Sequence, residues 1–268
     1  MQNQVFNDAL LKVAIKAARN AGDILLDGFN KVKNISYKSG IHNIVTEYDV
    51  LAENSIIAII RESFQDHSFL AEESGESKTT ALLEEGKVRW IIDPLDGTVN
   101  FAHGIPIFSV SIAAEVNNKI VAGVIYHPKL NELFSAVSGE GALLNGTKIS
   151  VSNTQSLEES ILVTGFPYTI QTHSEHTFQH FIGLVNKGIP IRRLGSAAID
   201  LAYVACGRFD GFWEVGLSPW DVAAGWLLVK EAGGSVTQFN GSSYNVKSNS
   251  ILATNSLIHK EFVEYLRT

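Results

Sequence analysis

Apolar residues at Phe6, Leu10, Val13, Ala17, Ala21 and Leu25 recur every three or four positions. At that interval side chains stack along one face of an α-helix, so the spacing predicts a long amphipathic helix over about 5–29. A second stripe, Leu51, Ile56, Ile59 and Ile60, predicts a helix over about 47–64. Thr46-x-x-Asp49 at its head has the form of a capping box with Asp in the place of the usual Glu. The pattern then shortens. Ser68–Ala71 and Val88–Ile92 are brief apolar runs, each stopping at an acidic residue. Ile107–Val116 and Ile120–Tyr126 flank Asn117-Asn118, a tight-turn pair, and predict a hairpin that Glu132–Val137 extends as a third antiparallel strand. Gly139, Gly141 and Gly146 mark the turns that follow.

The second half returns to mixed structure. Ile161–Thr164 reads as a strand, Ser174–Lys187 as a helix, and Ser196–Cys206 as an apolar helix that Gly207 ends. Ser218-Pro219 opens a further helix through Trp226 to Ala232, stopped by Gly233-Gly234. Strand and helix blocks interleave without strict βαβ repetition, which argues for a layered α+β fold and against a barrel. The 268 residues suit one domain, 1–268, with a possible subdomain boundary in the polar stretch near 150–159.

Composition narrows the class. Hydrophobic residues make up 45% and charged residues 18%, enough to build a core without a disulfide or structural metal. The single cysteine, Cys206, lies beside the apolar run 201–205 and reads as packing; a reducing, cytoplasmic setting fits. The net charge of −7 disfavours direct nucleic-acid and anionic-lipid partners, yet admits an anionic small substrate where bound cations reverse the local field. No signal peptide is expected, because Asp8, Lys12, Lys16 and Arg19 interrupt the first apolar stretch, and no run reaches the roughly 18 apolar residues of a membrane span. His173, His176 and His180 share a helical face without an acidic or Cys companion, and read as a polar face.

The candidate chemistry lies in carboxylates at element boundaries. Pro94 cannot continue a central ladder, so the strand before it is expected to end there, leaving Asp93 and Asp96 at its C-terminal edge. Two carboxylates so close repel, and a divalent cation relieves the repulsion; hard oxygen donors suit magnesium. The same residues would also serve a Pro-Gly turn. Glu72 follows a second apolar strand, Asp221 heads a helix whose dipole it complements, and Asp49 sits in the cap at Thr46. Together they point to a two- or three-metal site. Gly97-Thr98 at a probable helix start adds free N–H groups for phosphate and a hydroxyl to orient water, the parts of metal-assisted phosphate hydrolysis.

Asp93-Pro-Leu-Asp-Gly-Thr-Val-Asn-Phe101 resembles the signature of the inositol monophosphatases. Val45–Asp49, Ala71–Ser74, Gly195–Ala198, Trp220–Gly225 and Glu231–Gly234 match that family in order, over about residues 5–260. The resemblance implies the layered α-β-α-β-α sandwich of the sugar phosphatases. It implies a first magnesium on Glu72, Asp93 and the Leu95 carbonyl, a second on Asp93, Asp96 and Asp221, and a third, loosely bound, near Glu72. Thr98, backed by Asp49, would position the attacking water; Gly97 and Thr98 would bind phosphate; Gly195, Ser196, Ala197 and Glu214 would meet polyol or sugar hydroxyls, with Asp221 near the leaving oxygen. Lys38 would support a loop near the metals. Direct in-line attack by an activated water, lithium inhibition and a homodimer are implied in the same way. Asn43 stands where the family often carries Asp, and 164–187 is idiosyncratic beside the expected substrate pocket.

The expected reaction is hydrolysis of inositol 1-phosphate. Bisphosphate nucleotidases carry Lys-Glu-Phe after Asp-Gly-Thr and fructose-1,6-bisphosphatases Ser-Ser-Asn, whereas Val99-Asn100-Phe101 stands here. A related sugar-phosphate, fructose-1,6-bisphosphate (including dual inositol/fructose), histidinol-phosphate or nucleotide-bisphosphate phosphatase remains an alternative. So does a non-enzyme role as a regulatory protein bound to transcription machinery.

Overall fold

The computed structural model describes residues 2–38, 44–77, 87–168, 170 and 176–267. In chain order the elements begin α1 (Gln2–Gly28), β1 (Ile35–Tyr37), β2 (Ile44–Thr46), α2 (Glu47–Ser63), β3 (Ser68–Ala71), β4 (Gly75–Glu76), β5 (Val88–Asp96) and α3 (Thr98–Ala102). There follow β6 (Ser109–Val116), β7 (Lys119–His127), β8 (Glu132–Val137), β9 (Gly141–Leu144), β10 (Thr147–Ile149) and β11 (Leu162–Thr164). The remainder is α4 (His176–Asn186), β12 (Ile191–Arg192), α5 (Ala197–Ala205), β13 (Gly211–Val215), α6 (Pro219–Glu231), β14 (Ser235–Thr237), β15 (Ser250–Thr254) and α7 (His259–Leu266).

Two sheets organise these elements. The larger has eight strands in the order β10-β9-β8-β7-β6-β5-β3-β4, antiparallel except for the parallel pair β3–β5; the smaller has five in the order β12-β11-β13-β15-β14. The apolar stripe of α1, with Leu10, Ala14, Ala17, Ala21 and Leu25, joins Ala52, Ile56 and Ile60 of α2 against one face of the large sheet. The other face meets α5 and α6, through Leu201, Val204, Ala224, Leu227 and Leu228, and these two helices also cover the small sheet. Leu184 of α4 and Phe262 of α7 pack with Leu162, Trp213 and Leu252 on its far side. The result is the α-β-α-β-α layering expected of the family. Among the described residues no helix is long and apolar enough to cross a membrane.

Close approach of α6 to the large sheet depends on Gly123 in β7: a Cβ there would stand 3.1 Å from the Ala224 backbone. That contact seats the head of α6, where Ser111 of β6 donates to the Trp220 carbonyl at 3.1 Å. The hairpin turn forms as predicted, Asn117 and Asn118 both taking positive φ. The end of β5 differs from expectation. The strand does not stop at Pro94 but continues to Asp96. The ladder to β6 shifts register between Asp93 and Asp96, so the bulge absorbs the residue that lacks an N–H.

Arg89 of β5 and Glu115 of β6 are cross-strand partners, both buried, with Nε 2.8 Å and Nη2 2.6 Å from Glu115 Oε2. Removing one member leaves an uncompensated charge in the sheet. Arg89→Met is expected to lower unfolding free energy by about 3–5 kcal/mol, read from urea denaturation.

Candidate active site

The bulge at the end of β5 turns the chain so that consecutive groups face one cavity. Asp93, 2% exposed, takes the Leu95 N–H on Oδ1 at 3.0 Å. Gly97 follows with φ +96°, a left-handed conformation that glycine adopts without strain, and a Cβ there would press on the Ile107 carbonyl at 3.0 Å. The chain then enters the short helix α3, whose first turn leaves N–H groups without helical acceptors. Asn100 ties the arrangement to the other half of the molecule: its Nδ2 donates to Ile107 O and Leu194 O, each at 2.8 Å, which draws the 194–195 turn against Gly97.

Other elements deliver the remaining groups. Glu72 stands in the turn after β3, where its N–H donates to the Ile92 carbonyl at 3.1 Å. Asp221 lies in the first turn of α6; its Oδ2 accepts the Ser218 N–H at 2.7 Å, and Pro219 pre-sets the helix start. Asp96 Oδ2 accepts from the Ser196 hydroxyl and the Ala198 N–H, both at 2.7 Å, so the head of α5 is fastened to β5. Asp49, fully buried in α2, completes the capping box predicted from Thr46, accepting the Thr46 N–H at 2.8 Å and its hydroxyl at 2.6 Å. The Thr98 hydroxyl lies 3.0 Å from both Asp49 Oδ1 and the Leu95 carbonyl. With one hydrogen shared between two acceptors, its lone pairs stay available to a water in the cavity.

The cavity, about 140 Å³, is lined by Glu72, Asp93, Leu95, Asp96, Gly97, Thr98, Gly195 and Asp221, with Ile44, Val99 and Tyr168 completing the wall. Of the residues singled out in the sequence, Asp49, Ser196, Ala197 and Glu214 lie outside that lining. Asp49 reaches it through Thr98. Ser196, 1% exposed, directs its hydroxyl at Asp96. Glu214 of β13 is buried over Gly165, where any Cβ would collide with its carboxyl group. Tyr168 falls in the stretch 164–187 that the sequence set beside the expected substrate pocket, without being singled out there; Ile44 carried no signal, since it belongs to no polar motif. Lys38 donates to Glu72 Oε1 at 2.8 Å and to Glu73 Oε1 at 2.6 Å. Asn43 and His173 lie outside the described residues.

The electrostatics are dominated by crowded, buried carboxyl groups. Burial, then the charges of Glu72, Asp96 and Asp221, push the Asp93 carboxyl well above the usual carboxylate range. Burial and then Asp96 do the same to Asp221. Burial lifts Asp96 to about 6, against the opposing hydrogen bonds from Ser196 and Ala198, and lifts Asp49 to about 6. Among the described residues no three His, Cys, Asp or Glu side chains already stand close enough to enclose an ion; the carboxylate oxygens border an open cavity instead. Such a set of hard oxygen donors, crowded and short of counter-charge, fits magnesium, which retains waters and takes few protein ligands.

Burial-raised carboxyls hold their protons more tightly in the folded chain than in the unfolded one, so their contribution to stability is lost as pH rises through their folded values. For Asp96 that window opens near 3.8 and closes at about 6; Asp93 and Asp221 extend it upward. His127, lowered to about 4 by burial, runs the opposite way but cancels in a comparison with and without metal. The magnesium-induced rise in Tm is therefore expected to be larger at about pH 8 than at about pH 5, by scanning calorimetry; an equal rise at both would contradict metal binding by these carboxylates.

The family model described as "Inositol monophosphatase family" matches residues 7–268. A Haemophilus influenzae protein named "Nus factor SuhB" is 43% identical over 259 residues, covering 96% of this chain and 96% of its own. An "Inositol-1-monophosphatase" of Mesorhizobium japonicum is 40% identical over 260 residues, covering 97% of this chain and 96% of its own. Among solved structures, the extragenic suppressor protein suhB from Bartonella henselae superposes with a TM-score of 0.90 at 39% identity, covering 97% of this chain and 99% of its own. With a matching signature, a matching fold and relatives at this identity over nearly the whole chain, the protein belongs to the inositol monophosphatase family.

Proposed function

We propose that the protein is a magnesium-dependent phosphomonoesterase acting on a phosphorylated polyol or sugar, with inositol 1-phosphate as its first substrate. The observation that carries this reading is the convergence of Glu72, Asp93, Asp96 and Asp221 on one cavity beside the Thr98–Asp49 pair. Glu72, Asp93 and the Leu95 carbonyl would hold one ion, and Asp93, Asp96 and Asp221 a second; Glu72 borders the place for a third. Bound magnesium would neutralise the phosphate and lower the pKa of a coordinated water.

The chain's own groups do the rest. Thr98 accepts a hydrogen bond from the attacking water and so aims its lone pair at phosphorus, while Asp49 fixes the Thr98 hydroxyl. Backbone N–H groups at Gly97 and Thr98 receive the phosphate oxygens, as helix starts do for anions. Asp221 lies on the side of the leaving oxygen. Gly195 would form the wall toward the hydroxyl-bearing part of the substrate, with Ser196 and Ala197 behind it and the Glu214 carboxyl beyond. No residue in the cavity is placed to become phosphorylated in this scheme. We propose further that the chain works as one domain, in the cytoplasm, as a homodimer.

The name "Nus factor SuhB" carried by relatives at this identity favours a second reading, a regulatory role through transcription machinery. The net charge of −7 then suits contact through a protein better than direct contact with RNA. The two readings are compatible and separable. Asp93→Asn removes an oxygen shared by both proposed ions and is expected to reduce phosphate release from inositol 1-phosphate to below about 1% of wild type at saturating magnesium, with circular dichroism unchanged. Wild-type turnover should require magnesium and fall with lithium. Near-normal turnover of the variant would overturn the assignment of the ions, and no release by wild type from any sugar phosphate would overturn the phosphatase reading. A regulatory role independent of catalysis should survive in Asp93→Asn.

A further inference from the structure

One buried carboxylate near the cavity takes no part in the chemistry above. Glu53 lies in α2 and is 3% exposed. Its two oxygens are both occupied by the backbone of the turn after β3: Oε2 accepts the Glu73 N–H at 2.9 Å, and Oε1 accepts the Ser74 N–H at 2.9 Å. These are the two peptide groups directly after Glu72. A carboxylate gripping consecutive N–H groups fixes a turn in position and orientation, since charge-assisted bonds of this kind are about twice as strong as neutral ones.

The position of Glu53 adds to this. It stands four residues, one helical turn, after Asp49, so the two carboxyls share a face of α2. Asp49 holds the Thr98 hydroxyl at 3.0 Å, and Glu53 holds the turn bearing Glu72. Helix α2 is thus a common ruler for two parts of the site that come from different loops. Past Ala71 the ladder of β3 with β5 gives way to a single bond, Glu72 N–H to Ile92 O, and the pairing of β3 with β4 closes the turn only at its ends, Ala71 and Gly75, leaving the 73–74 N–H groups to Glu53. On the other side the Lys38 ammonium pulls on both Glu72 and Glu73 and would draw Glu72 away from a cation in the cavity.

We propose that Glu53 is a positioning residue for the metal site: it clamps the 73–74 peptides so that Glu72 faces the cavity in register with Thr98. The proposal rests on the reading of Glu72 as a metal ligand. Glu53→Gln keeps size and one acceptor, but turns an amide N–H₂ toward one of the two backbone N–H groups, donor against donor. The clamp is halved while Glu72 itself is untouched.

The test is calorimetric titration of magnesium, and of manganese as a tighter probe, into metal-free protein, alongside p-nitrophenyl phosphate turnover at saturating magnesium. Loss of a supporting contact to a metal ligand costs about 10–100-fold in metal affinity, so E53Q is expected to raise the metal Kd by about tenfold or more. Its kcat at saturating magnesium should stay within about threefold of wild type, because added metal restores the turn. Asp49→Asn should show the reverse split, with kcat lowered and metal Kd little changed. Glu62→Gln, on the exposed side of the same helix where Glu62 pairs with Lys16, serves as the control and should change neither. A mere folding defect would lower the binding stoichiometry and leave the Kd of the folded fraction alone. If E53Q fails to fold, Glu53→Asp, which keeps the charge but is too short to span both N–H groups, carries the same expectation. A metal Kd within twofold of wild type, or a fall in stoichiometry alone, overturns the proposal. Absence of metal binding by the wild type overturns instead the reading of Glu72 on which it rests.

Discussion

Four carboxyl groups confined to one cavity wall repel one another, and much of the structure exists to hold them there. Nothing among Glu72, Asp93, Asp96 and Asp221 neutralises the set; the Lys38 ammonium reaches Glu72 from one side only. Burial makes the repulsion more costly, which is why Asp93 and Asp221 keep their protons so tightly without metal. A cluster of this kind is stable only if its members are tied to several rigid elements. A single loop carrying all four would relax and let them part.

The ties are correspondingly varied. Asp93 and Asp96 belong to β5, and the bulge between them re-aims both toward the cavity without breaking the ladder to β6. Asp221 is fixed by the first turn of α6, itself set against β6 through Ser111 and allowed close to β7 by Gly123. Asp96 is shared with α5 through Ser196, so the large sheet is fastened at the site to the helix layer that lies between the two sheets. Glu72 is the member with the shortest support from its own strand, and there α2 supplies the missing contacts. The large sheet and the helix layers on both of its faces thereby have a stake in the cavity.

The same economy appears around Thr98. Its hydroxyl is useful to a reacting water only if its own hydrogen is committed elsewhere. The Leu95 carbonyl and Asp49 provide two acceptors at equal distance. Asp49 does this while also closing the N-terminus of α2, so one carboxyl serves the helix and the site together.

What the chain determined by itself was local. The 3.6-residue stripe of α1, the capping box at Thr46, the two-asparagine turn between β6 and β7 and the Ser218-Pro219 helix start each depend on contacts within a few residues, and each is present as read. The acidic residues were visible for the same reason, since each stands beside a local apolar run or a helix start. Tertiary structure decided the rest. Continuation of β5 past Pro94 required β6 to accept a bulge. The short strands β12 and β14 have too few residues to carry a period and exist because β11 and β15 offer them edges. Ser196, read as a substrate contact, turned its hydroxyl to Asp96, a partner one hundred residues away in the chain. Glu53 looked like an ordinary helix-face acid, because its importance lies in two peptide N–H groups that only folding brings within 2.9 Å. A sequence records which groups are available; distances between elements follow from packing, and this site is made of such distances.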